Sequence, residues 1–173
     1  MAKVRKTLGS WDTPCCRELM ALIESQSKPT IIGWCLDWAR ENTLPIAGQR
    51  GDPRPAAALD AAQAWLDGAV KLPQAKPVIL ALHAYARECG EEPAIQAAAR
   101  AIGQACSTIH SPSHSLGLLF YGAAALAYST VGLGQNAAIY ESVFEQTCLG
   151  LTDALRAVAV PDEPDPVAVT WRC

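Results

Sequence analysis

The sequence predicts an all-α fold, a single-domain bundle of about seven helices, from its composition and from the way proline divides it. Half of the 173 residues are apolar, and only 18 % are charged. Alanine is abundant while β-branched and aromatic residues are sparse, which favours closely packed helices over sheets. Prolines recur where a helix would begin or end. A chain of this length can bury one core, so residues 1–173 are expected to form one domain.

Seven segments between these breaks repeat apolar residues at the three- and four-residue spacing of a helix. They are 15–25, 27–44, 56–70, 78–89, 94–109, 114–128 and 136–158. The segment 47–55, AGQRGDPRP, combines glycine, proline and charge and is the clearest predicted loop. Pro73 and Pro77 are expected to separate the third and fourth helices, because proline lacks the backbone N–H that a helix interior uses.

The helical core is expected to span about 14–158, with 159–173 as an extended tail anchored by Trp171. The basic amino terminus is followed by no apolar run of the kind that a secretion signal needs. Seven cysteines, none with C-x-x-C spacing, are interpreted as reduced and mostly buried thiols. We therefore expect a protein of a bacterial, reducing cytoplasm.

Two classes of partner are disfavoured by the charge pattern. The net charge is −3 and the basic residues are scattered, so no basic stripe is available for a nucleic acid backbone. The charge-free stretch 115–134 is long enough to span a membrane, but it is rich in small residues and has no flanking cation. A buried helix of the bundle is the favoured interpretation of that stretch.

Polar side chains that could form a ligand- or partner-binding site concentrate in the middle of the chain. The candidates are Asp37, Arg54, His83, Arg87, Arg100, Gln104, His110 and His114. His83 and Arg87 are four residues apart and share a helical face, as do Arg100 and Gln104. The short turn at Gly90 should pack the two helices antiparallel, so that these faces meet.

The sequence allows three interpretations of these residues. A metal site on Cys106, His110 and His114 is disfavoured because Pro112 interrupts the helix between them and no second ligand pair follows. Catalysis by Cys106 or Ser113 with one of these histidines has no supporting motif. The third interpretation is structural, with Arg100 as a buried cation held by Asp37, Asp60 or helix-end carbonyls. We expect no metal, no cofactor and no catalytic residue.

The order of six short motifs resembles that of a known family. They are WCLDWA at 34–39, DPRP at 52–55, AQAW at 62–65, ALHAYAR at 81–87, AAARAIGQA at 97–105 and HSPSHSLG at 110–117. Together they resemble the bacterial immunity proteins described as immunity protein five-like, over about residues 30–130. The resemblance implies an all-helical cytoplasmic protein that binds and neutralises a partner toxin, with no catalytic residues carried over.

The leading functional hypothesis is therefore a non-catalytic binding protein, an immunity factor whose partner is a protein toxin. The alternative is a small-molecule or metal-binding domain, or an enzyme, that uses the same histidines and arginines. A toxin inhibitor would present exposed groups on its surface, whereas a ligand-binding domain would present a concave pocket with converging polar groups.

Overall fold

The computed structural model describes residues 4–171, which fold into eight α-helices. The helices are α1 (Pro14–Glu24), α2 (Lys28–Asn42), α3 (Leu44–Ala47), α4 (Arg54–Leu66), α5 (Leu72–Glu88), α6 (Pro93–Ser107), α7 (His114–Thr130) and α8 (Ala137–Val158). No residue in this range lies in a β-strand. The all-helical prediction is confirmed, and the helix beyond the predicted seven is the four-residue α3.

The segment predicted as a loop, 47–55, is more ordered than expected. Ala47 ends α3, a short 3₁₀ turn covers Gly48–Arg50, and α4 already begins at Arg54. Gly51 has φ of +70°, a left-handed conformation that glycine adopts without steric cost. The carboxylate of Asp52 accepts the backbone N–H of Arg54 at 2.9 Å, which satisfies a free donor at the start of α4.

The predicted break at Pro73 and Pro77 was wrong, because α5 starts at Leu72 and runs through both prolines. Pro73 occupies the first turn, where a backbone N–H has no helical acceptor. Pro77 falls in the next turn and removes only one helical hydrogen bond, so the helix continues to Glu88.

Helix α6 is the centre of the bundle and packs against α2, α3, α4, α5 and α7. Its small side chains allow this close approach, since five of its alanines are buried: Ala97, Ala98, Ala99, Ala101 and Ala105. Helix α8 packs against α1, α2 and α7 on the other side of the bundle. No helix within residues 4–171 is long and apolar enough to cross a membrane, and most of α7 is buried against its neighbours.

The segment 159–171 has no helix and contacts the end of α1 and the residues that follow it. The indole N–H of Trp171 donates to the carboxylate of Glu24 at 2.6 Å, so Trp171 anchors the tail to the end of α1. Gln26 is a second anchor, because its side-chain oxygen accepts the N–H of Val160 at 2.7 Å and its carbonyl accepts the N–H of Val167 at 2.9 Å. The last two residues of the predicted tail, 172–173, lie outside the described residues, as do 1–3.

Six cysteines are free thiols in the structure, and five of them are buried. Cys173, the seventh, lies outside the described residues. The described cysteines therefore serve as small core residues, as the sequence predicted.

Candidate functional site

A hydrogen bond between two predicted residues, Gln104 of α6 and His114 of α7, forms the centre of the candidate site. Nδ1 of His114 lies 2.9 Å from Oε1 of Gln104. An amide oxygen can only accept, so the imidazole donates from Nδ1 and its Nε2 remains an acceptor. Both side chains are half-buried, which leaves this acceptor within reach of a binding partner.

Two glycines make room for these polar groups. A Cβ at Gly117 would lie 2.2 Å from Oε1 of Gln104, and a Cβ at Gly103 would lie 2.8 Å from Cε1 of His83. Neither site could hold a larger residue without displacing its neighbour. Glycine on α6 and α7 therefore gives His83 of α5 a place against Gly103 and Gln104 of α6 a place against Gly117 of α7.

Burial keeps two of the histidines uncharged at neutral pH. Desolvation lowers the pKa of His83, and the nearby cation of Arg87 lowers it further. Desolvation also lowers the pKa of His114, with added repulsion from His110 and His83. These imidazoles consequently act as neutral hydrogen-bonding groups.

A groove of about 700 Å³ opens beside Gln104 and His114. Its walls are Gln104, Ser111, Ser113, His114, Leu116, Gly117, Phe120, Ala168, Thr170 and Trp171. The wall formed by 168–171 was not foreseen as part of a site, because nothing in the sequence pairs the tail with the 110–117 motif. The Pro-rich composition that marked the tail as extended was the available signal.

The expected carboxylate partners of Arg100 belong to another arginine. Asp37 and Asp60 lie 3.9 and 3.3 Å from the guanidinium of Arg40. Arg100 is half-buried, stands 6.0 Å over the ring of Tyr121, and forms no ion pair with any residue in the described range. The structural interpretation of Arg100 was thus wrong about its partners. The three-residue spacing of Asp37 and Arg40 on one helix was the signal for the correct pair.

Arg54 belongs to a separate ion-pair cluster at the start of α4. Its guanidinium makes two hydrogen bonds to Asp52, at 2.9 and 2.8 Å, and two to Glu88, at 2.9 and 2.6 Å. It also stands 5.0 Å over Tyr85, whose hydroxyl donates to the carbonyl of Ala47 at 2.6 Å. The two carboxylates raise the pKa of Arg54, and the guanidinium lowers the pKa of Asp52 and Glu88.

The remaining predicted residues divide by position. Arg87 is exposed on α5 one turn from His83, and His110 is exposed in the turn before α7. Asp37 is exposed on α2, paired with Arg40, and Arg54 is committed to its own carboxylates. The structure therefore groups His83, Gln104 and His114 at neighbouring positions on α5, α6 and α7. Arg87 lies on α5 and Arg100 on α6. Asp37 and Arg54 lie away from this group, on α2 and α4.

Cys106 and Ser113, the candidate nucleophiles of the sequence, lie in different environments. Burial raises the pKa of Cys106 to about 12, so its thiol is not ionised at neutral pH and is a poor nucleophile. The hydroxyls of Ser111 and Ser113 hydrogen-bond each other at 2.9 Å. Within residues 4–171 no group of three or more His, Cys, Asp or Glu side chains has the geometry to hold a metal ion.

A family model described as "Imm-5 like putative immunity protein" matches residues 21–150. That range is more than half of the chain and contains all eight predicted site residues. No curated protein and no solved structure matches the chain.

Proposed function

Because the chain belongs to the Imm-5 like family of immunity proteins, we propose that it binds a bacterial protein toxin and neutralises it by direct contact. The proposal needs a surface whose polar groups are not already used within the molecule. It also places the protein in the bacterial cytoplasm, where the six described free thiols would stay reduced.

The observation that carries the proposal is the α5–α7 face, defined as His83, Arg87, Arg100, Gln104 and His114. Neither arginine of this face forms an ion pair within residues 4–171. Nε2 of His114 is an open acceptor beside the groove. Arginine is enriched among the residues that dominate protein interfaces, because it combines charge, hydrogen bonding and a flat apolar surface.

The chemistry of the α5–α7 face favours an acidic partner surface. Arg87 and Arg100 supply positive charge without a local carboxylate, and the histidines stay neutral at physiological pH. Leu80 lies three residues before His83 on α5, is 53 % exposed and adds apolar area beside this face. Such a surface would attract an acidic toxin in solution and hold it by hydrogen bonds and apolar contact.

The test measures binding and protection with a toxin domain that co-purifies with this protein. Arg87→Glu and Arg100→Glu should each weaken binding to a catalytically inactive toxin by at least about tenfold, which corresponds to 1.4 kcal/mol. Cells that express the active toxin should then lose protection. The matched control is Arg17→Glu, an equal charge reversal on α1, which packs mainly against α8.

Unchanged affinity and protection in both α5–α7 variants would contradict the proposed surface. Absence of binding by the unmodified chain would contradict toxin neutralisation by direct contact.

A second candidate function is favoured by the groove beside His114. Its volume of about 700 Å³ lies in the range of pockets that hold small molecules, and Trp171 and Phe120 give it apolar walls. A ligand retained in native mass spectrometry and lost in Trp171→Ala would favour this function over toxin binding. Binding of the toxin by Trp171→Ala at unchanged affinity, without any ligand in the parent protein, would leave the first proposal standing.

A further inference from the structure

A second cleft, of about 180 Å³, lies at the opposite end of α6 from the groove. Arg5, Lys6 and Arg100 line it together with Gln96 and Tyr128. No acidic residue lines this cleft. Three cationic residues thus share one small concave space with no carboxylate to neutralise them.

The amino-terminal wall of the cleft is fixed to the bundle. The hydroxyl of Tyr128 donates to the carbonyl of Arg5 at 2.6 Å, and the N–H of Leu8 donates to the carbonyl of Phe120 at 3.2 Å. Leu8 is itself buried in the core. These contacts hold Arg5 and Lys6 beside α7, so their approach to Arg100 is a property of the folded chain.

Other arginines in the described part of the molecule show how the fold uses a cation for stability. Arg40, Arg50, Arg54 and Arg156 each lie within 4 Å of a carboxylate. Two glutamates adjoin the cleft in sequence: Glu92 pairs with Arg50 at 3.4 Å, and Glu91 is exposed and does not line the cleft. An anion in this cleft would be attracted by all three of the cationic residues that line it, Arg5, Lys6 and Arg100.

We infer that this cleft binds a phosphate group. A phosphate carries close to two negative charges near neutral pH and several strong acceptor oxygens, so it satisfies cations on more than one side. A single carboxylate carries one charge and two oxygens. The cleft holds the volume of about six waters at ~30 Å³ each, which suits one phosphate with its hydration.

The cleft would bind either free phosphate or the phosphate group of a small ester. This binding activity is separate from the proposed toxin binding. Arg100 borders both the α5–α7 face and the cleft, whereas Arg5 and Lys6 belong to the cleft alone. A double variant of Arg5 and Lys6 therefore separates the two activities, and a phosphate titration needs no toxin.

The experiment is isothermal titration of the full chain with inorganic phosphate at constant ionic strength, near pH 8. We expect one saturable site with a Kd of about 1 mM or lower. Arg100→Met should weaken it at least about tenfold, as should Arg5→Gln combined with Lys6→Gln. Arg17→Met, which removes an equal charge on α1, should leave it unchanged. If Arg100→Met fails to fold, the double variant at the exposed Arg5 and Lys6 supplies the same test.

Parallel titrations identify the bound anion. Acetate at the same ionic strength should bind at least about tenfold more weakly than phosphate. Tighter binding of glycerol phosphate than of inorganic phosphate would assign the site to an ester, and the reverse order would assign it to the free ion. Absence of saturable phosphate binding, equal binding of acetate, or an equal loss in Arg17→Met would overturn the inference.

Discussion

Arg54 and Arg100 both stand over a tyrosine ring, yet the fold surrounds them differently. Arg54 lies 5.0 Å from Tyr85 and donates two hydrogen bonds to each of two carboxylates, Asp52 and Glu88. Arg100 lies 6.0 Å from Tyr121 and has no carboxylate within ion-pair distance in the described part of the chain. Both arginines have the aromatic contact, so their surroundings differ in the carboxylates that pair with Arg54 and not with Arg100.

The comparison distinguishes an arginine that fastens the fold from one that remains available for binding. The four hydrogen bonds of Arg54 join the start of α4 to the end of α5 and leave it little capacity for another partner. The guanidinium of Arg100 keeps its donors for water or for an external acceptor. A partner surface or ligand is therefore expected at Arg100.

The largest effect is expected on the buried side of the helix that carries Arg100. Ala98 is fully buried in α6, so Ala98→Leu should overpack the contact between helices and cost about 1–3 kcal/mol. The same substitution at the exposed Ala157 of α8 is the control and should change little. Urea unfolding of both variants checks the prediction, and equal midpoints for the two would contradict the close packing of α6.

The next effect concerns the cluster around Arg54. Asp52 accepts hydrogen bonds from both the backbone N–H and the guanidinium of Arg54, so Asp52→Ala removes a backbone hydrogen bond at the start of α4 and an ion pair together. Loss of the backbone hydrogen bond alone should cost about 0.5–1.5 kcal/mol. Asp37→Ala is the control, because Asp37 is exposed and lies 3.9 Å from Arg40. A loss in Asp37→Ala as large as that in Asp52→Ala would show that the Arg54 cluster does not fasten the fold.

Whether the sequence predicts the contacts of a side chain depends on how far apart the two partners lie in the sequence. Helical spacing predicts that His83 and Arg87 share one face and that Arg100 and Gln104 share another, because those positions follow from local geometry. The pairing of Arg54 with Glu88 joins residues 34 apart, and it depends on how α4 and α5 are rotated against each other. No local pattern contains that rotation.

One error in the fold and one feature that was not predicted have related causes. Prolines often mark helix starts or breaks, but Pro77 lies in the second turn of α5, where losing one hydrogen bond does not end the helix. The tail wall of the groove depends on Gln26, whose hydrogen bonds to Val160 span 134 residues. Helices were thus predictable from periodicity, whereas contacts distant in sequence were not.

A smaller effect should appear in the pH dependence of stability. The pKa values of His83 and His114 are lowered from 6.5 in the folded chain, first by desolvation. The unfolded chain therefore binds more protons below about pH 6.5, so the free energy of unfolding is full above that pH and falls as the pH drops. The double variant His83→Gln with His114→Gln should flatten this slope in urea titrations between pH 7 and 5. An unaltered slope would contradict the burial of these imidazoles.

The most direct test of the comparison is urea unfolding of Arg54→Met and Arg100→Met measured side by side. Methionine keeps apolar bulk and removes the charge in both variants. We expect a clearly lower midpoint for Arg54→Met. For Arg100→Met we expect the smallest effect, within about 0.5 kcal/mol, because Arg100 has no carboxylate partner within residues 4–171. A loss in Arg100→Met equal to or larger than that in Arg54→Met would mean that Arg100 fastens the fold, and would contradict its availability for binding.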